Sequence, residues 1–245
     1  MPDQFRHDEI DDIRPPGLRP RLAELAVTAA NAWKLALPVT PLGPAPGPKC
    51  LILPGFLASD RSTVTLRQAF AAAGWRVEGW AQGLNTGAKA DTLHRLRRRF
   101  DAFGRGEKVL LVGWSLGGVF ARELAREVPD HALAVVTLGS PFSGDPHWNN
   151  VWPVYELVAG HKVDAPPILR DHAKPPVPTL ALWSRRDGIV APRAAYGLPR
   201  ESDCAVELDC THLGFAVSRR GASAVVAATH AFLRSSGCLP PLANR

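Results

Sequence analysis

Short apolar runs alternate with amphipathic stretches along most of this chain. Cys50-Leu-Ile-Leu-Pro54 and Val109–Val112 are unbroken apolar runs, which read as strands buried on both faces. Trp75–Trp80, Ala134–Leu138, Val177–Trp183 and Val206–Leu208, with polar residues among their apolar ones, read as further strands. Between and after them, Thr63–Ala73, Asp91–Phe103, Leu116–Glu127 and Ala222–Leu233 carry apolar residues at helical spacing. Leu116, Val119, Phe120 and Leu124 fall on one face of the third, and Gly74 stops the first. Strands separated by helices predict an α/β fold, a mostly parallel sheet flanked by helices on both faces.

Two segments break this rhythm. Residues 1–48 form an N-terminal extension. It has a charged, Pro-rich start, one expected helix over Arg21–Leu37 and a Pro/Gly-rich connector from Pro38 to Pro48. The helix carries Leu22, Leu25, Ala29 and Trp33 on one face, with Glu24, Asn31 and Lys34 elsewhere. That face suits packing against the main domain, residues 49–245, better than lying on a membrane surface. The second segment, about residues 141–176, is rich in Pro, Trp and His and has no strand pattern. It is too long for a plain connection and reads as a small cap insertion over the carboxyl ends of the strands. Its aromatics line a substrate pocket or form the cap's own core.

Composition changes this picture little. Of the 245 residues, 46% are hydrophobic and 21% charged, as in an ordinary globular protein. The net charge is +6 and the isoelectric point near 9.5. Arg95, Arg97, Arg98 and Arg99 form the densest basic cluster, read here as the solvated face of a helix, since no aromatic interleaving points to nucleic acid. The N-terminus, Met-Pro-Asp-Gln-Phe-Arg, has no secretory pattern, and no apolar run has the length of a membrane span. The expectation is a cytoplasmic protein. Cys50, Cys204, Cys210 and Cys238 lack metal-ligand spacing and are expected as free thiols, with a Cys204–Cys210 disulfide left open. No metal or cofactor is implied.

The chemistry centres on Gly113-Trp-Ser-Leu-Gly117, a G-x-S-x-G pattern between a strand and a helix. Such a turn projects Ser115 from the carboxyl end of its strand. The following helix aims its amino terminus at the reacting centre. A serine hydroxyl needs a base. His212 lies in Cys210-Thr-His-Leu-Gly214, after the last strand, whereas His230 sits inside the closing helix and reads as structural. Asp187, in Arg185-Arg-Asp-Gly-Ile-Val190 at the end of the preceding strand, is the expected acid that orients it. An oxyanion would be held by the backbone N–H groups of Leu116, after the serine, and of Phe56, in the turn after the first strand. Trp114, Phe142, Trp148 and Trp152 are the expected substrate-binding aromatics.

Together Pro54-Gly-Phe-Leu, Gly113-Trp-Ser-Leu-Gly-Gly, Leu138-Gly-Ser-Pro-Phe, Trp183-Ser-Arg-Arg-Asp-Gly-Ile-Val and Thr211-His-Leu-Gly resemble the α/β-hydrolases, and bacterial lipase- and esterase-like members in particular. The resemblance spans about residues 49–234. It implies a metal-free serine hydrolase that works through an acyl-enzyme on a small-molecule or lipid ester, with Ser115, Asp187 and His212 at the matching positions. Two departures stand out. Pro54-Gly55 replaces the His-Gly of many lipases. The first two strands of the full family sheet are lacking, and the Arg21–Leu37 helix is expected to cover the edge where they would lie. An acyltransferase on the same residues, or a binding protein on the same fold, are the rival expectations.

Overall fold

The computed structural model describes residues 15–17, 19, 24, 47–168 and 171–239. The expected Arg21–Leu37 helix therefore lies outside the described residues, apart from Glu24. Six strands form one wholly parallel sheet: β1 (Lys49–Leu53), β2 (Arg76–Gly79), β3 (Val109–Trp114), β4 (Ala132–Leu138), β5 (Thr179–Trp183) and β6 (Cys204–Glu207). Their order across the sheet is β2-β1-β3-β4-β5-β6. The helices are α1 (Val64–Ala72), α2 (Thr92–Gly104), α3 (Leu116–Glu127), α4 (Trp152–Ala159), α5 (Pro192–Tyr196), α6 (Gly214–Val217) and α7 (Arg219–Ser235).

Side chains on a strand point alternately to opposite faces, so each apolar run feeds two cores. Cys50, Ile52, Leu110 and Val112 point to one face, where Phe70 of α1, Phe215 of α6 and Val225 and Leu233 of α7 cover them. Leu51, Leu53, Val109 and Leu111 point to the other, under Leu96 and Phe100 of α2 and Phe120 and Leu124 of α3. This is why β1 and β3 carry no polar alternation, and both are buried along their whole length.

Strand order fixes where a ligand can sit. From β1 the chain steps outward to β2, then returns past β1 to β3 and continues the other way. The crevice beyond the carboxyl ends of β1 and β3 is therefore the topological switch point, the usual ligand site of an open α/β sheet. The loops after both strands meet there.

Other sequence expectations find their places. Arg95, Arg97 and Arg99 pair with Asp91, Asp101 and Glu78 on and beside α2, as a solvated helix face requires. His230 accepts a hydrogen bond from Trp75 Nε1 at 2.7 Å, joining α7 to the start of β2. All four cysteines are free, so Cys204 and Cys210 are not bonded to each other. Among the described residues no helix is long and apolar enough to cross a membrane. Glu24 is a described residue of the N-terminal extension. Its carboxylate reaches the loops that follow β5 and β6, on the other half of the sheet.

Candidate active site

Ser115 occupies the one-residue turn between β3 and α3, at φ 54° and ψ −123°. A non-glycine residue there is strained, and the turn persists because its neighbours leave no alternative. A Cβ on Gly113 would lie 2.3 Å from the Gly117 carbonyl oxygen, and one on Gly117 would lie 2.3 Å from that of Leu53. Both approaches are backbone to backbone and cannot relax, so glycine is required on both sides of the serine. The Ser115 N–H donates to the Leu138 carbonyl at 2.9 Å, which ties the turn to β4.

The turn after β1 meets the serine directly. A Cβ on Gly55 would lie 3.1 Å from that of Ser115. Fully buried Asn85 holds this turn: its Nδ2 donates to the Pro54 carbonyl at 2.9 Å, its carbonyl accepts from the Leu57 N–H at 2.8 Å, and its own N–H donates to Ala58. Leu57 is held at φ 54° as a result. Among the described residues, neither the Phe56 nor the Leu116 N–H donates to a protein acceptor. Asn85 escaped the sequence reading because the stretch from Gly83 to Lys89 looks like a plain loop, and an amide that bonds backbone leaves no periodic signal.

His212 and Asp187 come together at the carboxyl ends of β5 and β6. His212 Nδ1 is 2.7 Å from Asp187 Oδ2, and each residue is 2% exposed. The other aspartate oxygen accepts the N–H groups of Ile189 and Val190, both at 2.8 Å, which turns Oδ2 toward the ring. Gly139, at φ 53°, passes beneath the pair: a Cβ there would lie 2.8 Å from Asp187 Oδ2 and 3.0 Å from His212 Nδ1. Burial pulls the His212 pKa down, but the Asp187 charge and hydrogen bond, with Glu24 adding to them, outweigh it and raise the pKa above its ordinary value. The same surroundings disarm a neighbouring thiol. Burial, then the charges of Asp187 and Glu24, push Cys210 up to about 12, so it stays protonated.

Trp114 links the two halves. Its Nε1 donates to the His212 carbonyl at 3.0 Å, and the rings lie 5.8 Å apart. The residue before the serine thus anchors the histidine loop. This corrects its expected role: Trp114 is a buried prop and does not line the pocket.

The pocket itself, about 690 Å³ with its open mouth included, lies between the sheet and the 141–176 segment. Ser115, Leu116 and Phe56 form its floor, and Trp152, Tyr155, Val163 and Ile168 its apolar roof. Of the aromatics expected to bind substrate, Trp152 alone lines it. Phe142 is buried beneath the Arg122 guanidinium, 4.3 Å from its ring centroid. Trp148 packs with Trp183, Val190 and Tyr196 in a separate small core. The segment therefore uses its aromatics both ways. It is also tied to the acid loop, where Asn150 donates to the Ile189 and Gly188 carbonyls at 2.8 Å and 3.0 Å.

The parallel sheet, its switch point and the strained serine turn define an α/β-hydrolase fold. A family model described as alpha/beta hydrolase fold matches residues 50–164. Among solved structures the chain is similar to the carboxylesterase CesB of Bacillus subtilis (13% identity, TM-score 0.54, covering 86% of this chain and 98% of that one). It is likewise similar to a putative lipase of Acinetobacter baumannii (14%, 0.57, 87% and 97%) and to the naproxen esterase of Bacillus subtilis (14%, 0.54, 88% and 100%). No curated protein is significantly similar in sequence. At these identities the likeness is one of fold.

Proposed function

We propose that this protein is a serine hydrolase of carboxylic esters. The observation that carries the reading is the buried 2.7 Å bond between His212 and Asp187, on a loop that Trp114 anchors beside the strained Ser115 turn. Ser115 Oγ attacks the acyl carbon while His212 Nε2 takes its proton. The negative oxygen of the tetrahedral intermediate is held by the N–H groups of Phe56 and Leu116. His212 then returns the proton to the departing alcohol, leaving an acyl group on Ser115. Water, deprotonated by His212, attacks that ester and frees the acid. Asp187 fixes the histidine tautomer throughout. The apolar pocket over Ser115 suits an acyl or aromatic group.

A fluorophosphonate probe tests this, together with turnover of p-nitrophenyl esters of increasing chain length. Wild type is expected to label and to turn over ester, while folded Ser115→Ala and His212→Ala do neither. Shortening the roof with Trp152→Ala should move the preferred chain length upward. A folded wild type that neither labels nor cleaves any ester would overturn the reading and favour a binding role.

A further inference from the structure

Three backbone N–H groups from two loops converge on one buried carboxylate that the proposed chemistry does not use. Glu24 is 5% exposed. Its Oε1 accepts from Gly188 N at 3.1 Å and from His212 N, and its Oε2 accepts from Leu213 N at 2.8 Å. Gly188 follows Asp187 directly, and His212 is the proposed base. The carboxylate thus bonds the residue next to the acid and the histidine itself. Backbone N–H groups are strong donors, and an ionised acceptor makes their bonds short and directional.

Beside the His212–Asp187 bond, Ser184 Oγ donates to the Cys210 carbonyl at 2.6 Å, and the exposed Arg186 guanidinium donates to Asp209 at 2.8 Å. The first contact joins the loop bases, and the second lies in solvent, where an ion pair holds little. Glu24 joins their tips, where a small displacement changes the Nδ1–Oδ2 separation most. We propose that Glu24 is a positioning residue, a carboxylate clamp from the N-terminal segment that holds the acid and histidine loops in catalytic register. The inference rests on the serine hydrolase reading.

The clamp also acts electrostatically. The charged groups that face His212 are Asp187, bonded to its ring, and Glu24, bonded to its backbone; the nearby Cys210 thiol is neutral. Both carboxylates favour the protonated ring. Removing one of them should lower the pH at which His212 becomes a competent base.

Three variants separate charge from reach. Glu24→Gln keeps the size, loses the charge and turns an N–H group toward one donor. Glu24→Asp keeps the charge but is one methylene too short to hold both loops. Glu24→Ala removes everything. Rates are normalised to the sites that react with fluorophosphonate, so unfolded protein does not count. In Glu24→Gln, kcat should fall about tenfold with KM nearly unchanged, and the acid limb of the kcat/KM–pH profile should move to lower pH. In Glu24→Asp, kcat should fall with the limb in place, and Glu24→Ala should show both effects more strongly. Wild-type kcat per reactive site with an unmoved limb in Glu24→Gln would overturn the clamp. So would complete loss of reactive sites in Gln and Asp alike, which marks a residue needed only for folding. Ser115→Ala run alongside distinguishes the two readings: if it keeps ester turnover, the hydrolase mechanism fails, whatever Glu24 does.

Discussion

The two halves of the candidate site are built on opposite principles. The serine half is local. Strand β3, one strained residue and helix α3 follow each other in sequence; Gly113 lets strand and helix pass closely, and Gly117 leaves room for the Leu53 carbonyl of the neighbouring β1. The histidine–acid half is assembled from distance. Asp187 and His212 end different strands, Gly139 passes under them from a third, Trp114 props one loop, and Glu24 reaches in across 164 residues of chain. A local turn is specified by which residues can follow one another. A remote pairing is specified by many weak constraints, each of which can be removed while the fold survives. The serine half should therefore fail as a fold, and the other half as a catalyst.

Asp187→Asn is the largest expected loss on the remote side. Its oxygen can still serve Ile189 and Val190, but an amide now faces His212 and favours the wrong tautomer. The rate should fall about 10⁴-fold in a protein with wild-type circular dichroism. Two alanine substitutions then set the halves against each other. In Gly113→Ala the new Cβ meets backbone at 2.3 Å, and stability should drop by about 3 kcal/mol in urea unfolding. Gly139→Ala meets Asp187 Oδ2 and His212 Nδ1, and should lose about 10²-fold in kcat with a smaller loss of stability. Equal effects in both assays would erase the distinction.

Asn85→Ala probes the oxyanion turn, which is also held from afar. The buried Pro54 carbonyl would lose its donor, at a cost of about 1–3 kcal/mol, and kcat should fall about tenfold as the Phe56 N–H drifts. The smallest effect is a shift in pH dependence. His212 must be neutral to act, and its raised pKa places the acid limb of kcat/KM above the ordinary histidine value of about 6.5. Stability runs the other way. The contribution of the charged histidine is complete below the unfolded pKa and is lost as pH rises through the higher folded one. Thermal melts across that window should show stability falling as activity grows.

The same division decides what could be read from sequence. The parallel sheet was legible because a strand buried on both faces leaves an unbroken apolar run, as in Val109–Val112. The serine turn was legible because its own residues are contiguous, although Gly117 faces Leu53 and the Ser115 N–H bonds Leu138. Asp187 and His212 could be found because each lies in the loop after a strand in the expected order, with a glycine one or two residues further on. Glu24 could not. On a helical wheel it belongs to the polar side, and nothing near it in the chain hints at partners beyond residue 187. The aromatics misled for a related reason. Trp114, Phe142 and Trp148 were expected to bind substrate, but which surface an aromatic packs on depends on contacts between distant segments: Trp114 and Phe142 are buried and Trp148 is half-buried against a separate small core.

That clamp has a bearing on the timing of synthesis. Ribosomes deliver Glu24 early, and its donors arrive 164, 188 and 189 residues later. By the time Leu213 emerges, all six strands have been made. The carboxylate spends that interval hydrated, as a carboxylate can, where an apolar anchor would invite wrong partners. On the serine hydrolase reading, reactivity switches on late, since about a hundred residues of growth separate Ser115 from the proposed base, His212.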